Sequence, residues 1–224
     1  MGIILNIDTA VETASVSLAK DGIIIACIRN AIQKEHATFL HVAINQLLQQ
    51  SSIQLKQLDA IAVTKGPGSY TGLRVGMASA KGLCYALNKP FITIGTLNAI
   101  GIAAINETKG KLPQHSLFCP MIDARRMEVF TAVFDADMNE ILSPCAMVLD
   151  NNSYNNIVQN SNMVFAGSGS LKWSMITEVK NKLFLNEIDI AEAIAYLSNN
   201  KLINKDFTDL SYSEPLYVKE FFSA

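Results

Sequence analysis

Two short apolar runs, each closing on Ile-Asp, constrain this chain more than any other feature. Residues 3–8 end in Ile7-Asp8, and residues 116–123 end in Ile122-Asp123. A short apolar run bounded by a carboxylate suits a strand covered on both faces. Further strand patterns follow each run. Ala14, Val16 and Leu18 alternate with Ser15 and Ser17, the chain turns at Asp21-Gly22, and residues 23–28 return as a third strand. In the second half, residues 127–134 and 140–149 flank a polar turn at 135–139. Residues 61–64 before GPGS are echoed by 163–166 before GSGS. A meander that occurs twice with helices after it predicts an α/β fold of two similar subdomains. A linker beginning at Lys109-Gly110 divides them into 1–108 and 109–224.

The helical patterns lie at 36–50, 72–87, 96–106 and 190–202, and the tail Glu214-Pro215-Leu216-Tyr217 suits a chain packing back on the body. Helix 72–87 carries only Arg74 and Lys81 as charges, seven residues apart on one stripe. Its other faces hold Leu73, Val75, Met77, Leu83 and Leu87, and Gly72, Gly76, Ala80 and Cys84 form a ridge of small residues at i, i+4. The first helix has a second edge of His36, Phe39, Val42, Ala43 and Gln46 beside its core stripe. Two readings of these surplus apolar faces stand side by side: a helical contact with a second polypeptide, or deeper burial inside the chain itself.

Composition narrows the function classes. Half of the residues are hydrophobic and 17% are charged, which places the chain among folded proteins. With 18 Lys+Arg against 20 Asp+Glu, the basic excess of a stand-alone nucleic-acid binder is missing. Cys27, Cys84, Cys119 and Cys145 form no CxxC pair and read as small hydrophobes of a reducing compartment. The N-terminus lacks a basic leader region, and the apolar stretch 91–105 is shorter than the ~20 residues of a membrane span. A cytoplasmic protein without membrane attachment is predicted.

GPGSYTG at 66–72 sits between a strand and a helix, where Gly66, Gly68 and Ser69 could cradle a phosphate. It matches neither GxGxxG nor GxxxxGK[ST], and Pro67 removes one N–H, so a tight turn with Ser69 or Thr71 as N-cap is favoured. Ser69 lacks the flanking glycines of a hydrolase elbow. His36 and His41, five apart, are separated by about 140° around a helix, and with His115 elsewhere no metal site is predicted. Asp8 and Asp123 end matching strands and could hold a hydrated Mg²⁺ across a cleft, or could each cap the turn that follows. The turn after Asp8 is Thr9-Ala10-Val11-Glu12, without glycine and with a carboxylate that repels phosphate. Asp8, Thr9, Gly66, Gly68, Ser69 and Asp123 therefore read as a vestigial nucleotide cleft, with no catalytic residue assigned. An ATP-dependent small-molecule kinase or ATPase using Asp8, Asp123 and the 66–72 loop is the alternative.

KGPGSYTGLRVGMASAKGLCYAL at 65–87 and PMIDARRMEVF at 120–130 resemble the two signatures of the TsaB (YeaZ) family. ILNIDTAVETASVSL, AGSG at 166–169 and EPLYVKE at 214–220 add weaker matches. The resemblance implies an α/β fold of two RNase-H-like subdomains of the actin/Hsp70/sugar-kinase (ASKHA) superfamily. It also implies a non-catalytic partner of TsaD, the subunit that, with TsaB and the ATPase TsaE, transfers threonylcarbamoyl to adenosine 37 of tRNAs reading codons that start with A. Implied besides are a TsaD heterodimer through the two helices singled out above, TsaE in a ternary complex and tRNA met only through the complex. A homodimer of the chain alone is left open, and so is ATP or ADP at the partner interface; no other cofactor is implied. The run His36-Ala37-Thr38-Phe39-Leu40 departs from the family's usual His-Ser-Glu and Leu-Leu-Pro pattern.

Overall fold

The computed structural model describes residues 2–32, 36–113, 115–158, 161–178 and 182–219, with only the helical backbone at 36, 37 and 158. The chain divides into two compact units, one of residues 1–96 with 191–216, the other of residues 97–190 with 217–224.

The first unit is built on β1 (Ile3–Asp8), β2 (Ala14–Lys20), β3 (Ile23–Asn30), β4 (Ala60–Gly66) and β5 (Phe91–Gly95), in the order β3-β2-β1-β4-β5. β1 pairs antiparallel with β2 in the register Ile7↔Val16 and parallel with β4 in the register Ile7↔Val63. Alternation sorts the β1 side chains: Leu5 and Ile7 enter a core with Leu40, Ile44 and Leu47 of α1 (His36–Ser51) and Met77, Ala80 and Cys84 of α2 (Tyr70–Leu87). On the other side of this sheet, Asn6 Oδ1 accepts from Ser198 Oγ (2.7 Å) of α6 (Ala191–Ile203).

The second unit repeats the plan with β6 (Leu117–Asp123), β7 (Glu128–Phe134), β8 (Glu140–Val148), β9 (Met163–Ala166) and β10 (Lys182–Leu185), in the order β10-β9-β6-β7-β8. β6 is antiparallel to β7 and parallel to β9, as β1 is to β2 and β4. Its core gathers Met121, Val129, Tyr154 and Phe165 around Trp173 of α5 (Ser170–Ile176), whose indole lies 5.4 Å edge-on from the Tyr154 ring. α3 (Thr96–Thr108) contributes Gly101 beside Phe134, and α4 (Asn155–Val158) is a single turn. Each sheet has the strand order and directions of an RNase-H-like fold, the duplicated unit of the actin/Hsp70/sugar-kinase superfamily.

The units differ from the division expected at 108/109. All but the first residue of α3 groups with the second sheet, and α6 with the tail to Leu216 groups with the first. The linker composition at 109–114 gave no sign of this, because assignment follows where a helix finds its apolar floor. The helices and strands expected at 36–50, 72–87, 96–106, 116–123 and 190–202 fall within two residues of those observed.

Candidate functional site

β1 delivers Asp8, buried at its end, to the turn that follows. Its Oδ1 accepts from the Ala10 N–H (3.0 Å) and from Thr64 Oγ1 (2.7 Å) at the matching point of β4. The carboxylate thus caps its own turn. Thr9 Oγ1 donates to the Gly72 carbonyl (2.6 Å), joining that turn to the first turn of α2.

The 66–72 loop lies directly against this turn. Ser69 N–H donates to the Ala10 carbonyl (2.7 Å), and Ser69 Oγ accepts from Gly72 N–H (3.3 Å) as the N-cap of α2. A side chain on Gly68 would collide with the Ala10 carbonyl, and one on Gly72 with the Thr9 carbonyl. From the other side the tail reaches in: Leu216 N–H donates to the Lys65 carbonyl (2.6 Å), and a Cβ on Gly66 would stand 2.6 Å from the Leu216 carbonyl oxygen. Gly66 holds φ +114°, a region that L side chains avoid. Asp8, Thr9, Gly66, Gly68 and Ser69 are therefore brought together, but as a closed seam. The N–H groups of Ser69 and Gly72, which a phosphate cradle would aim outward, are spent within the chain.

Asp123 belongs to the second unit and has its own partners. Its Oδ1 binds Lys172 Nζ at 2.6 Å and accepts from Arg125 N–H at 2.6 Å, while Ser168 Oγ accepts from the Asp123 N–H (3.1 Å). A paired lysine neutralises the charge that would draw a cation. Lys172 went unnoticed in the sequence, since a contact spanning 49 residues leaves no local pattern.

Of the residues expected to face a partner, those on α2 divide differently. Leu73, Met77, Ala80 and Cys84 are buried; Met77, Ala80 and Cys84 sit in the first unit's core, and Leu87 packs at its edge. This corrects the expectation: here the reading of deeper internal burial holds. The ridge of small residues also serves the chain itself, because Gly72 and Gly76 let α2 close on Thr9. Burial pushes the Cys84 and Cys119 thiols up to about 12, so both stay protonated and behave as core hydrophobes.

On α1, Ala43 is buried and Phe39 half-buried, whereas Val42 (66%) and Gln46 are exposed; the His36 side chain lies outside the described residues. Phe39, Val42, Ala43 and Gln46 do line one groove of about 290 Å³ with Ile28 and Thr38. Sequence reasoning missed Tyr85 of α2, 84% exposed, although its place beside Lys81 on the outward stripe carried the signal. Ser79 Oγ and His41 Nε2 lie 3.3 Å apart and tie the outer faces of the two helices. Among the described residues, no group of three or more His, Cys, Asp or Glu is placed to hold a metal ion, and no helix is long and apolar enough to cross a membrane.

Fold and site together define a two-subdomain RNase-H-like protein whose first-strand carboxylate caps a turn closed on the neighbouring glycine loop. The family model for TsaD, tRNA N6-adenosine threonylcarbamoyltransferase, matches residues 28–213. The tRNA threonylcarbamoyladenosine biosynthesis protein TsaB of Haemophilus influenzae is 30% identical over 96% of this chain and 93% of that protein. TsaB of Bacillus subtilis and of Escherichia coli are each 33% identical, but there the matched part spans only 54% and 57% of the relative's length. YeaZ from Pseudomonas aeruginosa superposes with a TM-score of 0.81 over 97% of this chain and 100% of that one, at 24% identity. The chain belongs to the TsaB (YeaZ) family.

Proposed function

We propose that this chain is a non-catalytic partner subunit of the bacterial complex that places threonylcarbamoyl on adenosine 37 of tRNAs reading codons that start with A. It binds and stabilises TsaD, the transferase subunit, with the ATPase TsaE joining as a third component, and it meets tRNA only within the complex. The chain holds no cofactor of its own, and the place for ATP or ADP is where it meets TsaD.

The single observation carrying this reading is the closed seam at 66–72. Donors that would face a phosphate are turned onto Ala10 and Ser69, and the tail is stapled over Gly66. The partner face comprises the outward sides of α1 and α2. From residue 36 to 51 α1 carries no Asp, Glu, Lys or Arg, and Val42 and Tyr85 stand exposed on the two helices. A helix face without charge and an exposed aromatic ring beside it suit an interface core, where charged residues are depleted and aromatics enriched. Resemblance to a transferase family model over residues 28–213 supports a pairing of two like folds through like helices.

The test reconstitutes tRNA modification with purified TsaD and TsaE, with and without this chain, beside calorimetry of the chain alone with Mg-ATP. Modification that depends on the chain, with no ATP turnover by the chain alone, is expected. Modification at full rate without it, or ATP hydrolysis by the isolated chain, overturns the reading.

A further inference from the structure

The hairpin joining β6 to β7 has an anomaly that the partner role does not use. Arg125 and Arg126 are consecutive and both left-handed, at φ +70° and φ +49°. Left-handed φ at two consecutive residues with side chains is unusual, because a Cβ is penalised there and Gly, Asn or Asp is the ordinary choice. Backbone held in that region by surrounding structure is a mark of functional sites. Here the surroundings do hold it: Ala124 N–H donates to the Glu128 carbonyl (3.1 Å), Glu128 N–H to the Arg125 carbonyl (3.1 Å), and Arg125 N–H to Asp123 Oδ1.

The hairpin's two carboxylates are already taken: Asp123 by Lys172 at 2.6 Å, and Glu128 by Lys219 at 2.7 Å. Both arginines are exposed, and neither guanidinium has an ion pair among the described residues. The chain as a whole carries a net charge of −2, yet this turn presents two uncompensated cations on a rigid base.

We propose that the Arg125-Arg126 turn is a contact for RNA backbone phosphates, through which this subunit grips tRNA within the modification complex. The inference rests on the proposed function and adds to it a binding role for this chain. Two adjacent guanidiniums on an exposed turn suit an extended polyanion, because each planar fork engages one phosphate. With no basic excess elsewhere, such contacts add to the hold of a complex and do not bind RNA alone.

The experiment measures tRNA binding by the complex of this chain with TsaD, by fluorescence anisotropy from 50 to 200 mM salt, with wild type, Arg125→Gln/Arg126→Gln and Arg125→Gly/Arg126→Gly. The glycine pair relieves the turn's strain, so it keeps the test clear of misfolding. Both variants should co-elute with TsaD like wild type, while the slope of log K against log[salt] falls by about 1.4 to 1.8, the loss of two phosphate contacts. Arg125→Lys/Arg126→Lys should restore most of the slope. An unchanged slope in an intact complex overturns the inference, as does loss of Mg-ATP binding with tRNA binding intact, which would assign the pair to a nucleotide. A wild-type chain that forms no complex with TsaD contradicts the proposed function instead, so the two failures are distinct.

Discussion

Three glycines on α2 carry the same substitution to opposite outcomes. Gly82 is exposed and a Cβ there meets nothing within 4 Å, whereas one on Gly72 lands on the Thr9 carbonyl and one on Gly76 on Thr9 Oγ1. Gly82→Ala therefore gains the bare helix propensity, about 0.8–1.0 kcal/mol, which raises Tm by about 2–4 °C for a chain of this length. For Gly72→Ala the same gain is outweighed. Forcing a methyl into packed backbone costs about 1–3 kcal/mol, and separating α2 from the turn also removes the Thr9 Oγ1 to Gly72 bond, about 1 kcal/mol. The net is a loss of about 2 kcal/mol, or a Tm lower by about 4–8 °C. Gly76→Ala should fall between, since the obstructing hydroxyl can rotate at the expense of that bond. The assay is thermal and urea unfolding followed by far-UV circular dichroism, because Trp173, the one tryptophan, belongs to the second unit. Gly72→Ala as stable as wild type, or Gly82→Ala less stable, would refute the closed seam.

Two further outcomes are expected. Thr131→Val removes the acceptor of the buried Tyr154 hydroxyl (3.0 Å) and the donor to the Pro120 carbonyl (3.0 Å), and should cost about 1–3 kcal/mol in a urea titration read by Trp173 fluorescence. Burial raises Cys84 and Cys119 from 9.0 to about 12 and lifts Tyr154 as well, so these groups favour the folded state while neutral. Their contribution is fully present below pH 9 and is lost as pH rises toward 12; urea midpoints should fall between pH 9 and 11, and a flat profile would contradict the burial.

How much of this was legible in the sequence varied with the physics of each element. The repeated meander was plain, because period-2 burial of Leu5, Ile7, Val16 and Leu18 writes itself into the order of residues. β10 and α5 escaped: β10 is a four-residue strand at the edge of its sheet, paired with β9, and α5 is a seven-residue helix that begins after Gly169 with no side-chain cap. Asp8 and Ser69 were readable as caps, since a carboxylate or hydroxyl before a turn finds local N–H groups first. The faces of α2 were not. Spacing places Leu73, Met77, Ala80 and Cys84 together but leaves undecided whether that face meets the chain's own sheet or another protein. Only the fold shows that it meets β4 and β1, which leaves the outward stripe of α2 to Arg74, Ala78, Gly82 and Tyr85.

The central claim is that the outer face of α1, which carries no charged residue from 36 to 51, and the exposed stripe of α2 around Tyr85 are covered by the TsaD subunit. Equilibrium binding of this chain to TsaD, compared among wild type, Val42→Glu and Tyr85→Glu, tests it most directly. Both side chains are exposed, so the variants should fold as wild type, and each should weaken binding at least tenfold, about 1.4 kcal/mol, by placing a carboxylate where apolar surface is buried. Wild-type affinity in both folded variants would contradict the account.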